Sequence, residues 1–190
     1  MTGRIDEPGA VLTTYIAFLR GINVGGRMAK MDRLRAIFTE LGLSNVRSYI
    51  QSGNVFFDSD QQDQAALTSA IESRLSADLG YGVATFLRTI PEVRRTLETA
   101  PFENIELTPD TRFFVAFLSS ALPDSIELPF FSPRRDMEIV STCQNDAFLV
   151  VRQEPGRPGN PGAFLEKTFG IQATLRFYHT LERIAQAAAM

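Results

Sequence analysis

Val46-Arg47-Ser48-Tyr49-Ile50-Gln51-Ser52-Gly53-Asn54-Val55-Phe56-Phe57 is the stretch whose reading decides the fold. Val46–Ile50 and Val55–Phe57 have the β-branched and aromatic content of strands, and Gln51-Ser52-Gly53-Asn54 between them has turn chemistry, so the segment predicts a hairpin. Upstream, Met31, Leu34, Ile37 or Phe38, and Leu41 recur at helical spacing, with Gly42 as the stop. Before that helix, Tyr15-Ile16-Ala17-Phe18-Leu19 reads as a buried strand. Downstream, Ser59 with Gln62 predicts a capping box. The helix it opens carries Leu67, Ile71, Leu75 and Leu79 on one face, ends at Gly80 and Gly82, and precedes a strand at Val83–Leu87. The order is βαββαβ, the split arrangement of a ferredoxin-like lobe within an α+β protein.

The rest of the chain predicts a second α+β lobe. Pro91 at a first-turn position starts a short helix from Ile90 to Thr99, and Pro101 and Pro109 mark a connector. Strands are expected at Phe113–Leu118, Met137–Thr142 and Ala147–Arg152, the last two joined at Gln144-Asn145. Asn160 and Pro161 open a helix to Phe169 that Gly170 closes. Ala173–Arg176 reads as a strand, and Thr180 as the opening of a final helix to Ala189. Ala121–Pro133 fits neither element type. With a helix there, the second half would also run β-α-β-β-α-β, which suggests a structural duplication. The expected organisation is a flexible leader at 1–13, a ferredoxin-like lobe at 14–90, a helix and connector at 91–110, and a second lobe at 111–190.

Composition narrows the function classes. The chain has 190 residues, Lys+Arg 19 against Asp+Glu 22, and a net charge of −3 with pI near 5.3. That balance disfavours general nucleic-acid binding. One cysteine, Cys143, and one histidine, His179, provide neither a disulfide framework nor a Cys/His zinc site. No apolar run reaches the roughly 20 residues that span a bilayer, and the polar start does not read as a signal peptide. A cytoplasmic protein without a membrane partner is expected. The sequence nominates no cofactor and encodes no oligomeric state.

One connection stands out chemically. Arg20-Gly21-Ile22-Asn23-Val24-Gly25-Gly26 spends three glycines between a strand and a helix. In a ferredoxin-like sheet, strands one and three are antiparallel neighbours. The end of strand one therefore lies beside the start of strand three. This places Arg20, Asn23, Gly25 and Gly26 next to Gln51, Ser52 and Asn54 on one rim. Arg20 offers a planar fork of donors for carboxylate or phosphate, the glycine N–H groups can form an anion-binding concavity, and the amides and hydroxyl can orient a ligand. Lys30 could add charge. A small anionic or nucleotide-like ligand suits this set. A structural reading competes, because Asn and Ser commonly stabilise turns through local backbone bonds and Arg20 could simply pair with a carboxylate. The glycine spacing fits neither a Walker A loop nor a dinucleotide fingerprint.

The two segments together carry a family resemblance. Arg20–Gly26, then Met31, Leu34 and Gly42, then Tyr49-Ile50-Gln51-Ser52-Gly53-Asn54-Val55 closely resemble the bacterial family known as domain of unknown function 1697. A weaker likeness continues through Pro101-Phe102 and Val115–Leu118. The resemblance implies two α+β lobes, the first ferredoxin-like, and brings no activity, substrate or cofactor. The chain departs from the family pattern at Arg157–Gly162, where members carry a Ser-Lys pair. It departs again at Arg176-Phe177-Tyr178-His179-Thr180, where members carry Arg-Asn-Trp-Asn-Thr; only Arg176 and Thr180 match.

Other residues are weaker candidates. His179 is the one imidazole base but has no evident nucleophile or orienting acid beside it. Cys143 reads as an ordinary thiol. Arg134-Arg135 follows an aromatic pair yet meets Asp136 and Glu138 at once. Two further functional readings stand beside ligand binding. One is an interaction module for protein or nucleic acid through sheet surface or strand edges. The other is an enzyme using the rim, for which the sequence nominates no acid or base.

Overall fold

A computed structural model describes residues 12–23, 28–153, 156 and 159–188. The chain runs β1 (Thr13–Leu19), α1 (Met31–Glu40), β2 (Ser44–Tyr49), β3 (Asn54–Ser59), α2 (Gln64–Leu79), β4 (Thr85–Thr89), α3 (Ile90–Glu98), β5 (Thr111–Leu118), β6 (Phe130–Phe131), β7 (Met137–Cys143), β8 (Asp146–Arg152), α4 (Pro161–Phe169), β9 (Ala173–Phe177) and α5 (Tyr178–Ala188). β1 to β4 form a sheet of order β2-β3-β1-β4, the ferredoxin-like order. The second sheet is β6-β7-β8-β5-β9, which repeats that order and adds β6 at its edge.

Period-two alternation assigns each sheet two apolar faces. Tyr15, Ala17 and Leu19 of β1 pack under α1 and α2 with Leu34, Ile37, Phe38, Leu67, Ile71 and Leu75. Ile16 and Phe18 face the other way, into a shared core with Phe56, Phe86, Val115, Phe117, Phe148 and Val150. The two sheets therefore meet face to face, and α3 and α5 close the same core through Val93, Leu181 and Ile184. Phe18 and Phe117 stack at its centre with ring centroids 3.8 Å apart. Burying each such ring is worth about 2–3 kcal/mol. On the far side of the second sheet, Phe164 and Leu165 of α4 cover Leu118, Ile139 and Leu149.

Most expected elements form, with three local corrections. The cap of α2 is Asp63, whose carboxylate accepts from the N–H of Ala65 and Ala66, and not a Ser59–Gln62 box. Ser59 ends β3, buried, and its hydroxyl accepts from Gln61 N. Ala121–Pro133 holds turns and the short β6 but no helix, so the second half lacks the first helix of the expected repeat. α5 begins at Tyr178, two residues before Thr180. The expected capping of α4 by Asn160 is present: its side chain accepts from Ala163 N at 2.9 Å. Most of the expected leader lies outside the described residues. Among the described residues no helix is long and apolar enough to cross a membrane.

Candidate functional site

The register of β1 on β3 sets Phe18 opposite Asn54. Leu19 N donates to Gly53 O at 2.8 Å, which pulls the end of β1 against the β2–β3 turn. Asn23, at φ 59°, closes the connection: its Nδ2 donates to Gln51 O at 3.1 Å and its Oδ1 accepts from Ala29 N at 2.9 Å. The loop and the turn thus share one rim. Gly25 and Gly26 lie outside the described residues. Gly53 has a specific reason to be glycine. Its φ is +72°, and an added Cβ would sit 3.1 Å from Leu19 Cβ and 3.2 Å from Ile22 Cβ.

Within the rim the polar side chains serve one another. Asn54 is fully buried, and its Nδ2 donates to Ser52 Oγ at 2.7 Å. Its Oδ1 accepts from the Nε of Arg176 at 2.7 Å. Gln51 is exposed and contributes its backbone carbonyl. Lys30 is exposed at the start of α1, where its side chain makes no capping bond.

Arg176 is the residue that sequence reasoning left as a mere motif match. It leaves β9, crosses between the sheets, and plugs the end of β1. Its Nη2 donates to Leu19 O at 3.1 Å and to Ser52 O at 3.0 Å, and its Nη1 donates to Thr174 Oγ1 at 3.1 Å and Leu175 O at 2.8 Å. The guanidinium lies 5.6 Å from the centre of the Phe18 ring. Only 8% exposed and without a carboxylate among these partners, its pKa is pulled down by burial to about 10.

The second half holds the mirror of this clasp. Arg88, fourth in β4 as Arg176 is fourth in β9, crosses in the opposite direction. Its Nε and Nη2 donate to Asp146 Oδ1 at 2.9 and 2.7 Å, and Nη2 also donates to Asn145 O at 2.8 Å. Arg88 lies 5.5 Å from the Phe117 ring centre. Asp146 opens β8 as Asn54 opens β3. Leu118 N donates to Asn145 O at 2.8 Å, matching Leu19 and Gly53. The strand order, both clasps and the stacked phenylalanines are thus related by an internal two-fold. The two clasps differ in one atom of consequence: a carboxylate answers Arg88, and a neutral amide answers Arg176. The legible signal was Leu-Arg at the end of two strands that each run straight into a helix, Leu87-Arg88 and Leu175-Arg176.

Arg20 points elsewhere. Its backbone N–H donates to Ala84 O at 2.9 Å, and its guanidinium pairs with Glu166 of α4 at 2.7 Å. The side chains are 39% and 29% exposed, but the Glu166 Oε1 that meets Arg20 is itself buried. Arg20 also lines an open cleft with Gly21, Glu72, Ser73, Ala84 and Gln172. Among the described rim residues, it is the charged one that lines this cavity.

The other candidates do not assemble a catalytic set. Burial pushes the Cys143 thiol up, the opposite of what an activated nucleophile needs. His179 stacks on Phe177 at 5.4 Å. Arg135 covers the Phe131 ring at 3.9 Å and Arg134 pairs with Asp136. Among the described residues no cluster of three or more His, Cys, Asp or Glu side chains could hold a metal ion.

These features define a two-sheet α+β protein with a repeated strand order, clasped by two crossing arginines. Residues 12–148 match the family described as protein of unknown function (DUF1697), and the chain belongs to that family. A solved structure titled as conserved bacterial protein SP0830 from Streptococcus pneumoniae is similar in fold. It is 23% identical with a TM-score of 0.66, covering 94% of this chain and 99% of that one. No curated protein matches the chain.

Proposed function

We propose that the protein binds a small anionic or nucleotide-like ligand at the cleft beside the rim, with Arg20 as its charged anchor. The observation that carries this reading is the division of labour among the rim residues. Asn23, Ser52 and Asn54 are engaged in the fold, whereas Arg20 lines a cavity with a side chain that is 39% exposed. Its partner Glu166 has a 29% exposed side chain, although the Oε1 that faces Arg20 is buried. An incoming phosphate or carboxylate would compete with Glu166 for the guanidinium and gain a bidentate contact. Asn23, Gln51, Ser52 and Asn54 then act as the scaffold that holds the end of β1, with Gly25 and Gly26 completing the connection.

Titration calorimetry with alkyl phosphates and nucleotides tests the reading on three proteins. Wild type binds, Arg20→Ala loses binding, and Glu166→Gln binds more tightly because the competing carboxylate is gone. Equal affinity of wild type and Arg20→Ala would defeat it.

The interaction-module alternative retains one favourable observation: Met28 is 85% exposed and Ile50 50% exposed, each next in sequence to a residue of the Asn23 stitch. Strand-edge pairing is disfavoured at β4, where side chains already hold backbone groups: Glu72 takes Thr85 N, Arg88 takes Leu87 O and Glu92 takes Thr89 N.

A further inference from the structure

Arg20 faces an acid across its cleft. Glu72 of α2 lines the same hollow. It also lines an adjoining hollow that continues past Thr68, Ser119 and Asn145, so that a single groove runs along α2. Glu72 Oε1 accepts from Thr85 N at 2.7 Å, a bond that caps a backbone group of the edge strand β4. That bond needs an acceptor but not a charge. Among the described residues no cation pairs with Glu72, whereas Glu40, Asp78, Asp146 and Glu166 each have an arginine.

The internal two-fold shows what is missing beside it. In the second half, Glu166 of α4 receives the guanidinium of Arg20, the residue that follows β1. The residue in the same place after β5 is Ser119. Its N–H donates to Gln172 O at 3.0 Å, as Arg20 N donates to Ala84 O. A serine hydroxymethyl is too short to answer an acid on the neighbouring helix. Where an arginine fills one half, the other half leaves an open groove with an uncompensated carboxylate.

We propose that the groove takes a zwitterionic small ligand, with its anionic end on Arg20 and an ammonium or guanidinium end on Glu72. This rests on the Arg20 reading given above and adds the second charge. Arg20 supplies a planar fork for phosphate or carboxylate. Glu72 supplies a charge-assisted acceptor through the oxygen not committed to Thr85. Gln172 and Ser73 on the walls can accept from or donate to the linker between the charged ends.

Calorimetry with two matched series tests it: ω-aminoalkyl phosphates and the alkyl phosphates of the same chain lengths. At the length that spans the groove, the amino compound is expected to bind about tenfold more tightly than its alkyl partner, the factor expected of one good charge-assisted bond. Glu72→Gln keeps an acceptor for Thr85 N–H but removes the charge. It should erase the preference without weakening alkyl phosphate binding, since it removes a negative charge from the groove, and its melting curve reports that the fold is intact. Equal affinity of the two series at every length, or a preference that survives Glu72→Gln, overturns the proposal. If the alkyl phosphates bind through Arg20 and the amine adds nothing, only the zwitterion inference falls. If neither series binds wild type, the Arg20 reading falls with it.

Discussion

Replacing Asn54 with aspartate would answer the buried charge of Arg176, yet it should destabilise this protein, because it places a new carboxylate at a fully buried position. Burial draws the Arg176 pKa down to about 10, a penalty of roughly 3 kcal/mol on the charged state at 1.36 kcal/mol per unit. The penalty applies at neutral pH, because a lowered base pKa costs stability wherever the group stays protonated; it is relieved only as pH rises past about 10. Aspartate would answer the charge as Asp146 answers Arg88, whose Nε and Nη2 lie 2.9 and 2.7 Å from it. Against this, the amide donors to Ser52 Oγ at 2.7 Å and Tyr49 O at 3.3 Å are lost, and the new carboxylate must be desolvated. The lost bonds amount to about 1 kcal/mol each and the desolvation to several kcal/mol more, which together exceed the roughly 3 kcal/mol on offer and leave a net loss of about 1 kcal/mol or more. For a chain of this length that lowers Tm by about 2–4 °C or more. The sign of the pH dependence is fixed by the same reasoning. Burial holds the Asp146 carboxyl above the usual carboxylate range even beside Arg88, and an aspartate at the similarly buried position 54 should be raised in the same way, so the mutant compares best with wild type below about pH 4 and loses ground as pH rises toward the folded value. Thermal melts of wild type and Asn54→Asp at pH 7 and pH 3, followed by circular dichroism, measure both features. A mutant as stable as wild type or more so at pH 7 would refute the reasoning that desolvation outweighs the pair at this position.

Gly53→Ala should lower stability by about 2 kcal/mol or more, since alanine at φ +72° is strained and its Cβ meets Leu19 and Ile22 at 3.1–3.2 Å; denaturant midpoints check this. Ile50 is β-branched yet sits at φ 49° and is half exposed, so Ile50→Asn should raise stability by about 1 kcal/mol. A midpoint that falls instead would show that its side chain packs more than its exposure suggests. Arg20→Ala should shift Tm by less than about 2 °C, because it removes only a partly exposed ion pair. A large loss of stability would assign Arg20 to the fold.

Pattern and punctuation made the first sheet readable in advance. The Gln51–Asn54 turn, the Leu67-Ile71-Leu75 stripe and the glycine stops constrain strand order strongly, because each side of a strand must match a core. The Arg20–Asn23 and Gln51–Asn54 rim followed from strand order alone. What stayed hidden is non-local. Asp63 displaced the Ser59–Gln62 box because β3 runs on through Ser59, a boundary that no local signal sets. The loop at 121–133 hid the repeat, since a missing helix breaks the expected sequence of elements. Arg176 was hidden most deeply: a charged residue in an apolar strand reads as edge or surface. Here alternation turns it toward the other sheet, where backbone and side-chain oxygens of the rim and its own strand await it.

Nitrogen-15 NMR of the arginine Nε–Hε groups during titration with an alkyl phosphate compares the two rim arginines in one experiment. The Arg20 resonance should move with saturable dependence on phosphate, as Glu166 is exchanged for the ligand, while Arg176, sealed against Asn54, should stay still. A motionless Arg20, or an Arg176 that shifts equally, would contradict the division between a clasp that holds the fold and an arginine that meets the ligand.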